Sequence, residues 1–439
     1  MSIMLPYGKK SISIPLSDIK NYEIFLPQEV QTNLTEKDIV NNSLNNPIAS
    51  ETLNNLLAKK SPERITVVLS DITRITGSNI FLPELMKIFN SAEIIPKNIT
   101  YLIASGIHPP CNKEQINALF GISKISSLEL EEVSKPFQYH LSNGSKVIQH
   151  NAKDSQTLKT VSTLKDGTEL KVNKYAVETD FLILTGSITY HYLAGFGGGR
   201  KAIIPGVSSY ENCLNLHKLS LCKNRHKKNS RAATGVLSGN PMHQHMTEVV
   251  SKLNPAFLLN TVCNEKKEII YSVAGDWQKA FQKGCGFVRK NYSTKVRKKF
   301  DAVIVSCGGF PKDINMIQTH KTFENCINLV KEGGSMLILS ECSEGVGNNT
   351  FLKWFNYNDE QELVVHLKKN FEINGQTALS TLIKSKRAEV SLFTSLEKKA
   401  VNAMNMNKTP SVEKYMGEKM LENKSVAFVP YGSSLFFRG

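Results

Sequence analysis

The run Phe181-Leu182-Ile183-Leu184, turning at once into Thr185-Gly186-Ser187, decides the fold class. It reads as a short buried strand followed by a loop of small and hydroxylated residues. The same order recurs upstream. Residues 65–69 precede Ser70-Asp71-Ile72-Thr73-Arg74, and residues 99–104 precede Ser105-Gly106-Ile107-His108. Short β-branched runs alternating with polar helical stretches predict α/β units that build a largely parallel sheet. In open sheets of this kind ligands bind beyond the carboxyl ends of the strands, so these loops are expected to converge on one site.

A second set of strand-like runs begins after residue 290, at 302–305, 335–339 and 390–393. At 439 residues the chain exceeds the size at which one core keeps growing. Two α/β domains with largely parallel sheets and a cleft between them are therefore expected. The N-terminal, cofactor-binding domain is placed at 1–275 and the smaller C-terminal domain at 290–412, with residues 276–290 as the crossover. The tail 415–439, which contains the strand-like Val426-Ala427-Phe428-Val429, is expected to rejoin the first domain.

Composition narrows the class. Residues of apolar type make up 41% of the chain, but the apolar runs are strand-sized, far short of the roughly 20 residues a membrane-spanning helix needs. The segment Met1 to Lys10 reaches Pro6 and Gly8 before any long apolar core and does not resemble a secretory signal, so a cytoplasmic location is expected. Eight cysteines are scattered without a Cys-x-x-Cys pair and read as reduced and structural. The formal charge of +15 raises a polyanion-binding alternative. Its densest basic stretch, residues 218–231 with Lys223, Arg225, Lys227 and Lys228, has no interleaved aromatic residue for base stacking. A solvated face and attraction of carboxylate substrates are the preferred meaning, with no nucleic acid and no membrane as partner.

The segment from Gly186 to Gly206 contains Gly195-Phe196-Gly197-Gly198-Gly199-Arg200-Lys201. Glycines there would let backbone approach a ligand closely. A nucleotide-phosphate cradle does not fit, because Arg200 intervenes before Lys201 and Ala202 stands where a Ser or Thr hydroxyl should hold magnesium. A dinucleotide fingerprint, as a nicotinamide-dependent hydroxy acid dehydrogenase would need, is also poor, since about ten residues separate the strand from Gly195. What remains is a lysine in a glycine-rich loop, with His191 upstream and His217 downstream. A lysine buried near other cations loses its proton more easily and can attach a cofactor covalently. A single histidine completes a metal site only if a cofactor supplies the other ligands.

The run from Gly186 to His217, together with Asp71-Ile72-Thr73-Arg74, Ser105-Gly106-Ile107-His108, Gly239-Asn240-Pro241 and Ser306-Cys307-Gly308-Gly309-Phe310-Pro311-Lys312-Asp313, resembles the lactate racemase family that uses a nickel pincer nucleotide. The resemblance spans nearly the whole chain. It implies that Lys201 joins the pyridinium-derived pincer, that His217 completes nickel coordination, and that Gly197, Gly198 and Gly199 line the cofactor. It implies His108 and His191 as acid/base groups, Arg74 as a substrate ligand with Asp71 nearby, and Gln318 and Lys321 reaching in from the second domain. It also implies cofactor-synthesis proteins as partners.

The chemistry suits the residue types. Removing the Cα hydrogen of a 2-hydroxy acid as a proton leaves a carbanion beside a carboxylate. Removing it as hydride, while a base takes the hydroxyl proton, gives a planar 2-keto acid that can take hydride back on either face. Two bases are needed because the hydroxyl lies on different sides in the two enantiomers, and histidine titrates near working pH. A clamp of Arg74 and Lys321 would hold the carboxylate. Ser105 and Ile107 stand where threonine is frequent in that family, and Tyr190 where proline is common. Thr377, in Gly375-Gln376-Thr377, stands where lactate-specific members carry tryptophan, which opens the site to larger 2-hydroxy acids or a sugar acid. Trp354 reads as a packing residue.

Overall fold

The structure, a computed structural model, describes residues 2–122, 128–134, 136–163, 167–357 and 359–438. Met1 and Gly439, the outer ends of the expected first domain and tail, lie outside them. Two sheets organise the chain. The first runs in the order Ile269–Gly275, Phe257–Cys263, Phe181–Ser187, Ile65–Ser70, Ile99–Ala104, Lys146–Gln149, Gln138–Leu141, Leu130–Ser134. Its central members pair in parallel and its two margins are antiparallel. Ile65–Ser70 and Ile99–Ala104 are buried at every position but the last because apolar clusters cover both faces of this sheet.

The second sheet is wholly parallel, in the order Asn407–Lys408, Glu389–Phe393, Val330–Leu339, Phe300–Ser306, Ser425–Val429, Asn21–Ile24. This corrects the expected course of the tail. Val426 to Val429 pair with Ala302 to Val305 on one side, and Ser425 to Phe428 with residues 21 to 24 on the other, so both chain ends build the second sheet. The N-terminal hairpin of Ser2–Tyr7 and Lys10–Pro15 packs Ile3, Leu5 and Ile14 against Ala302, Ile304, Val426 and Phe428. The reason is burial: Val426-Ala427-Phe428-Val429 is apolar at every position, the pattern of a strand enclosed on both faces and both edges. The tail also reaches the first unit, through the short parallel pairing of Phe436–Arg438 with Ser293–Lys295, the Phe436 ring against Tyr190 and the Ser434 hydroxyl on Glu265.

The expected crossover is the helix Trp277–Tyr292, capped by Asp276, which buries Ala280, Phe281, Cys285 and Val288 against the first core. Its composition is not linker-like because it is a core helix. The basic stretch keeps Lys218, Lys223, Arg225, Lys227 and Arg231 exposed, a solvated face as expected. It is tethered to the second unit, where Lys368 donates to the carbonyls of Lys223 and Arg225 and Lys228 is mostly buried between Glu324, Ser380 and Glu360.

Three helices at the site are started by side-chain caps. Asn112 and Gln115 form a capping box just after the His108 loop. Ser209 caps Tyr210–Lys218, which ends on His217, and Asn315 caps Met316–Cys326, which carries Gln318 and Lys321. Phe428 is fully buried between two strands of the second sheet. Phe428→Ala is expected to destabilise the second unit by about 3–5 kcal/mol, measured as a lowered urea midpoint. A change confined to the unfolding of the first unit would contradict this placement.

Candidate active site

The loop after Ile99–Ala104 turns through Gly106, whose φ of +58° suits glycine, and its N–H is tied to the Gly206 carbonyl at 2.8 Å. Gly206 in turn donates to the Lys201 carbonyl, so the His108 and Lys201 loops are stitched together. His108 stands exposed at the rim with Nδ1 2.6 Å from Asp71 Oδ2. Asp71 is only 3% exposed and also accepts from the Thr73 N–H and hydroxyl. Burial alone would raise its carboxyl, yet His108, Thr73 and Arg74 outweigh burial and hold it below its ordinary value. An ionised Asp71 therefore takes the Nδ1–H of His108 and leaves the Nε2 lone pair free. Arg74 follows one turn later, its N–H on the Asp71 carbonyl at 3.1 Å.

His191 is held differently. Its Nδ1 accepts the N–H groups of Leu193 and Ala194 at 3.2 and 3.1 Å, so the neutral ring carries its proton on Nε2. Burial, then the charges of Lys201, Lys321, Arg74 and His217, push its basicity well below that of free histidine. Those four groups are the walls of the site. Lys201, on the short 3-10 turn Gly199–Ala202, is depressed well below an ordinary lysine by burial and by Arg74, Arg200 and Lys321. His217 donates Nδ1–H to the Cys213 carbonyl at 2.7 Å, which aims an unprotonated Nε2 away from its helix. Burial, with Lys201 adding to it, lowers His217 to about 4.

The second unit supplies Lys321, lowered to about 7 by burial, Arg74 and Lys312, and donating to Gln318 Oε1 at 2.5 Å. Thr377, 2% exposed on the helix Ile373–Ser385, meets the Tyr192 hydroxyl at 3.1 Å. Gln376 donates to the same hydroxyl and accepts from Ser220. Tyr192 stacks on His191 at 5.3 Å between ring centroids. The threonine thus contributes a hydrogen bond across the units at the flank of His191. Trp354 is buried in the second core, donating to Glu372.

The glycines have a reason the sequence did not supply. A Cβ on Gly198 would stand 2.8 Å from Asn260 Oδ1, and one on Gly199 2.7 Å from the Phe281 ring. The Gly199 N–H donates to Asn260 at 2.8 Å. Gly198 and Gly199 thus let the loop lie flat on the first sheet and the helix Trp277–Tyr292, and so set where Lys201 emerges. Gly197 is less constrained, its nearest neighbours the Ser187 carbonyl and Thr189.

Arg74, His191, Lys201, His217 and Lys321 are thereby linked into one electrostatic cluster, with His108 joined through Asp71 and Gln318 through Lys321. The sequence missed Tyr192, Gln376 and Asn260, whose roles depend on contacts between distant segments. Among the described residues no cluster of three or more His, Cys, Asp or Glu could cage a bare metal ion. One prepared imidazole beside one depressed amine can hold a metal only with a carrier that brings its own donors.

Residues 7–229 match the lactate racemase N-terminal domain and residues 296–437 the lactate racemase C-terminal domain. The chain is 34% identical over 371 residues to the lactate racemase of Thermoanaerobacterium thermosaccharolyticum, covering 83% of this chain and 80% of that protein. It is 32% identical over 355 residues to the lactate racemase of Lactiplantibacillus plantarum, covering 80% and 77%. The fold superposes on the lactate racemase apoprotein structure from T. thermosaccharolyticum with a TM-score of 0.84 at 29% identity over the full length of both chains. A Thermotoga maritima protein shares the fold, with a TM-score of 0.64 at 19% identity over 94% of this chain and 100% of that one.

Because the amines of Lys201 and Lys321 are depressed toward neutrality, trace acetylation with acetic anhydride at pH 7 is expected to label them out of proportion, by tenfold or more over ordinary surface lysines. Peptide mass spectrometry reads the ratio. Labelling no faster than the average lysine would refute the electrostatic picture.

Proposed function

The chain belongs to the lactate racemase family, and from that premise we propose that it racemises or epimerises a small 2-hydroxy acid at the cleft where His108, His191, Lys201 and His217 meet. The reaction class is isomerisation. The observation that carries the reading is the grouping of Arg74, Lys201 and Lys321 with no carboxylate among the charges acting on Lys201 and Lys321. Such a site favours an anion, and a carboxylate gripped by Arg74 and Lys321 places its α-carbon between the two histidines' loops.

Proton handling is divided between the imidazoles. His108, with Nδ1–H given to Asp71, offers Nε2 to the substrate hydroxyl, and the ionised aspartate stabilises the imidazolium that forms. His191 presents Nε2–H to the substrate oxygen when that oxygen lies on its side. To take a proton at Nε2, it must first pass to its other tautomer. Tyr192, backed by Thr377 and Gln376, narrows the space beside His191 with a ring and a hydroxyl. The hydroxyls of Tyr192 and Thr377 support a substrate side chain more polar than a methyl group, such as that of a hydroxylated 2-hydroxy acid or an aldonic acid.

A nickel pincer nucleotide fits the residues present. Lys201 is an amine unprotonated enough to be acylated, and His217 keeps a lone pair on Nε2 for a single metal bond, its ring fixed by the Cys213 carbonyl. When bound, that group supplies a reversible acceptor for the α-hydrogen as hydride. The protein's own residues hold the carboxylate, move the hydroxyl proton and exclude water. The cofactor is the product of other proteins, which are proposed as partners.

The test is to produce the chain in a cell that makes the cofactor and to look for nickel and a covalent mass addition on the Lys201 peptide. A panel of enantiopure 2-hydroxy and aldonic acids is then followed for loss of optical activity. Lys201→Ala is expected to abolish adduct and turnover together. Turnover with no nickel and no adduct would reject the reading. A second expectation follows from Lys321, which is cationic below about 7 and neutral above. Carboxylate binding is therefore strongest below neutrality, and KM is expected to rise several-fold between pH 6.5 and 8.5. In Lys321→Met the rise should vanish and KM be high throughout.

A further inference from the structure

The motif Gly239-Asn240-Pro241 is absorbed by none of the chemistry above, yet Asn240 is fully buried and uses its whole side chain. Its Oδ1 accepts the N–H groups of Met242 and His243, capping the helix Pro241–Leu253. Its Nδ2 donates at 2.8 Å to the Leu193 carbonyl and at 3.0 Å to the Val236 carbonyl. The next carbonyl, Ala194, is taken by Arg200 Nη2 at 2.8 Å. Leu193 and Ala194 are the two residues whose N–H groups grip Nδ1 of His191. Arg200 is an unusual clamp. It is fully buried, its guanidinium lies 4.2 Å over the Phe281 ring, and Nε and Nη1 have no hydrogen-bond partner. Burying a cation without a carboxylate is expensive, and the Ala194 carbonyl is the hydrogen bond that position secures.

We propose that Asn240, assisted by Arg200, is a positioning residue for His191: the two side chains clamp the backbone of residues 193 and 194 and so fix the orientation and tautomer of the His191 ring. This rests on the reading of His191 as an acid/base group. Among the described residues no other side chain donates to the Leu193 or Ala194 carbonyl, and a loose turn would free Nδ1. The groups facing His191 are Lys201, Lys321, Arg74 and His217, with Tyr192 stacked on its ring. Among the described residues none of these groups is hydrogen-bonded to the ring, so none of them holds it in place of the turn.

Asn240→Asp separates the two duties of the side chain. The carboxylate still caps the helix, but it sets an oxygen against the Leu193 and Val236 carbonyls. Arg200→Met keeps an apolar stem over Phe281 and removes the donor to Ala194. Both are compared with wild type and His191→Gln, first as apoprotein labelled with 15N at the histidine rings. The signal missing from His191→Gln should show protonated Nε2 and bare Nδ1 in wild type, and averaging between tautomers in both clamp variants. In the cofactor-loaded enzyme, kcat should fall about tenfold or more, with KM changed less than twofold and the Lys201 adduct retained, since small misplacements of a reacting group lower rate without weakening substrate binding. Unaltered ring signals in both clamp variants, or a loss confined to KM or to adduct formation, would overturn the proposal. If Asn240→Asp does not fold, Arg200→Met decides alone. Full turnover in His191→Gln would instead remove the acid/base reading, while the ring signals would still judge the clamp.

Discussion

Three cations crowd one cleft without a carboxylate to share among them. Arg74 from a loop of the first sheet, Lys201 from the glycine turn and Lys321 from a helix of the second unit each lower the proton affinity of a neighbour. Like charges brought out of water repel and are poorly solvated, so the arrangement is unfavourable unless something relieves it. Two reliefs are available to the chain. One is loss of a proton, toward which both lysines are pushed. The other is an anion, which the cleft is built to receive. Among the described residues Asp71 is the buried carboxylate beside Arg74, and it is already committed to His108 and Thr73. The energy that holds the cations together comes from the apolar cores beneath the two sheets and from the polar seam between them.

That seam shows what the same repulsion looks like when it is balanced. Between the units, Glu324 sits among Lys228, Lys384 and His320. Burial would raise its carboxyl, but the two lysines and the histidine hold it far below the ordinary range, while Lys384 drops to about 8 and His320 to about 3. Here a carboxylate meets the lysines and the cluster is structural. Lys228 belongs to the first unit and Glu324, Ser380 and Lys384 to the second, so closing the units completes the cluster. Glu265 and Lys312 pair across the opposite part of the same interface, with Ser434 beside them. Tyr192, Thr377 and Gln376 stand nearer the chemistry. The interface thus fixes Lys321 relative to His191, and a change in how the units meet would alter the charge crowding directly.

How much of this was legible in the sequence depends on how local each cause is. Strands at Ile65–Ser70, Ile99–Ala104 and Phe181–Ser187 could be read because an apolar run flanked by loop residues is a local pattern. The site residues came from the resemblance to the lactate racemase family, several of whose motifs fall on loops at the carboxyl ends of parallel strands. The course of the tail did not emerge, because an all-apolar strand says that both its faces are covered without saying by which sheet. The glycines were read as room for a ligand, whereas Gly198 and Gly199 are room for Asn260 and Phe281, residues some sixty and eighty positions away. The basic stretch was read as solvated and is largely so, but the burial of Lys228 was not legible because its partners Glu360, Ser380 and Glu324 come from the other unit.

The two histidines are not equivalent, and the thermodynamics of racemisation limits how that can show. His108 leans on a carboxylate that takes its Nδ1–H, whereas His191 leans on two backbone N–H groups that hold its Nδ1 bare. A device so lopsided invites the expectation of a preferred substrate enantiomer. Enantiomers have equal free energies in water, however, so the equilibrium constant is unity and kcat/KM must be the same in both directions. The difference between the imidazoles can therefore appear only as kcat and KM shifting together for one enantiomer relative to the other. It would reflect which bound complex is the more stable, because both directions cross the same transition states. Whereas the enantiomer facing His191 only accepts from its Nε2–H, the one whose hydroxyl faces His108 donates its hydrogen to an imidazole backed by the ionised Asp71. It should form the tighter ground-state complex and turn over the more slowly.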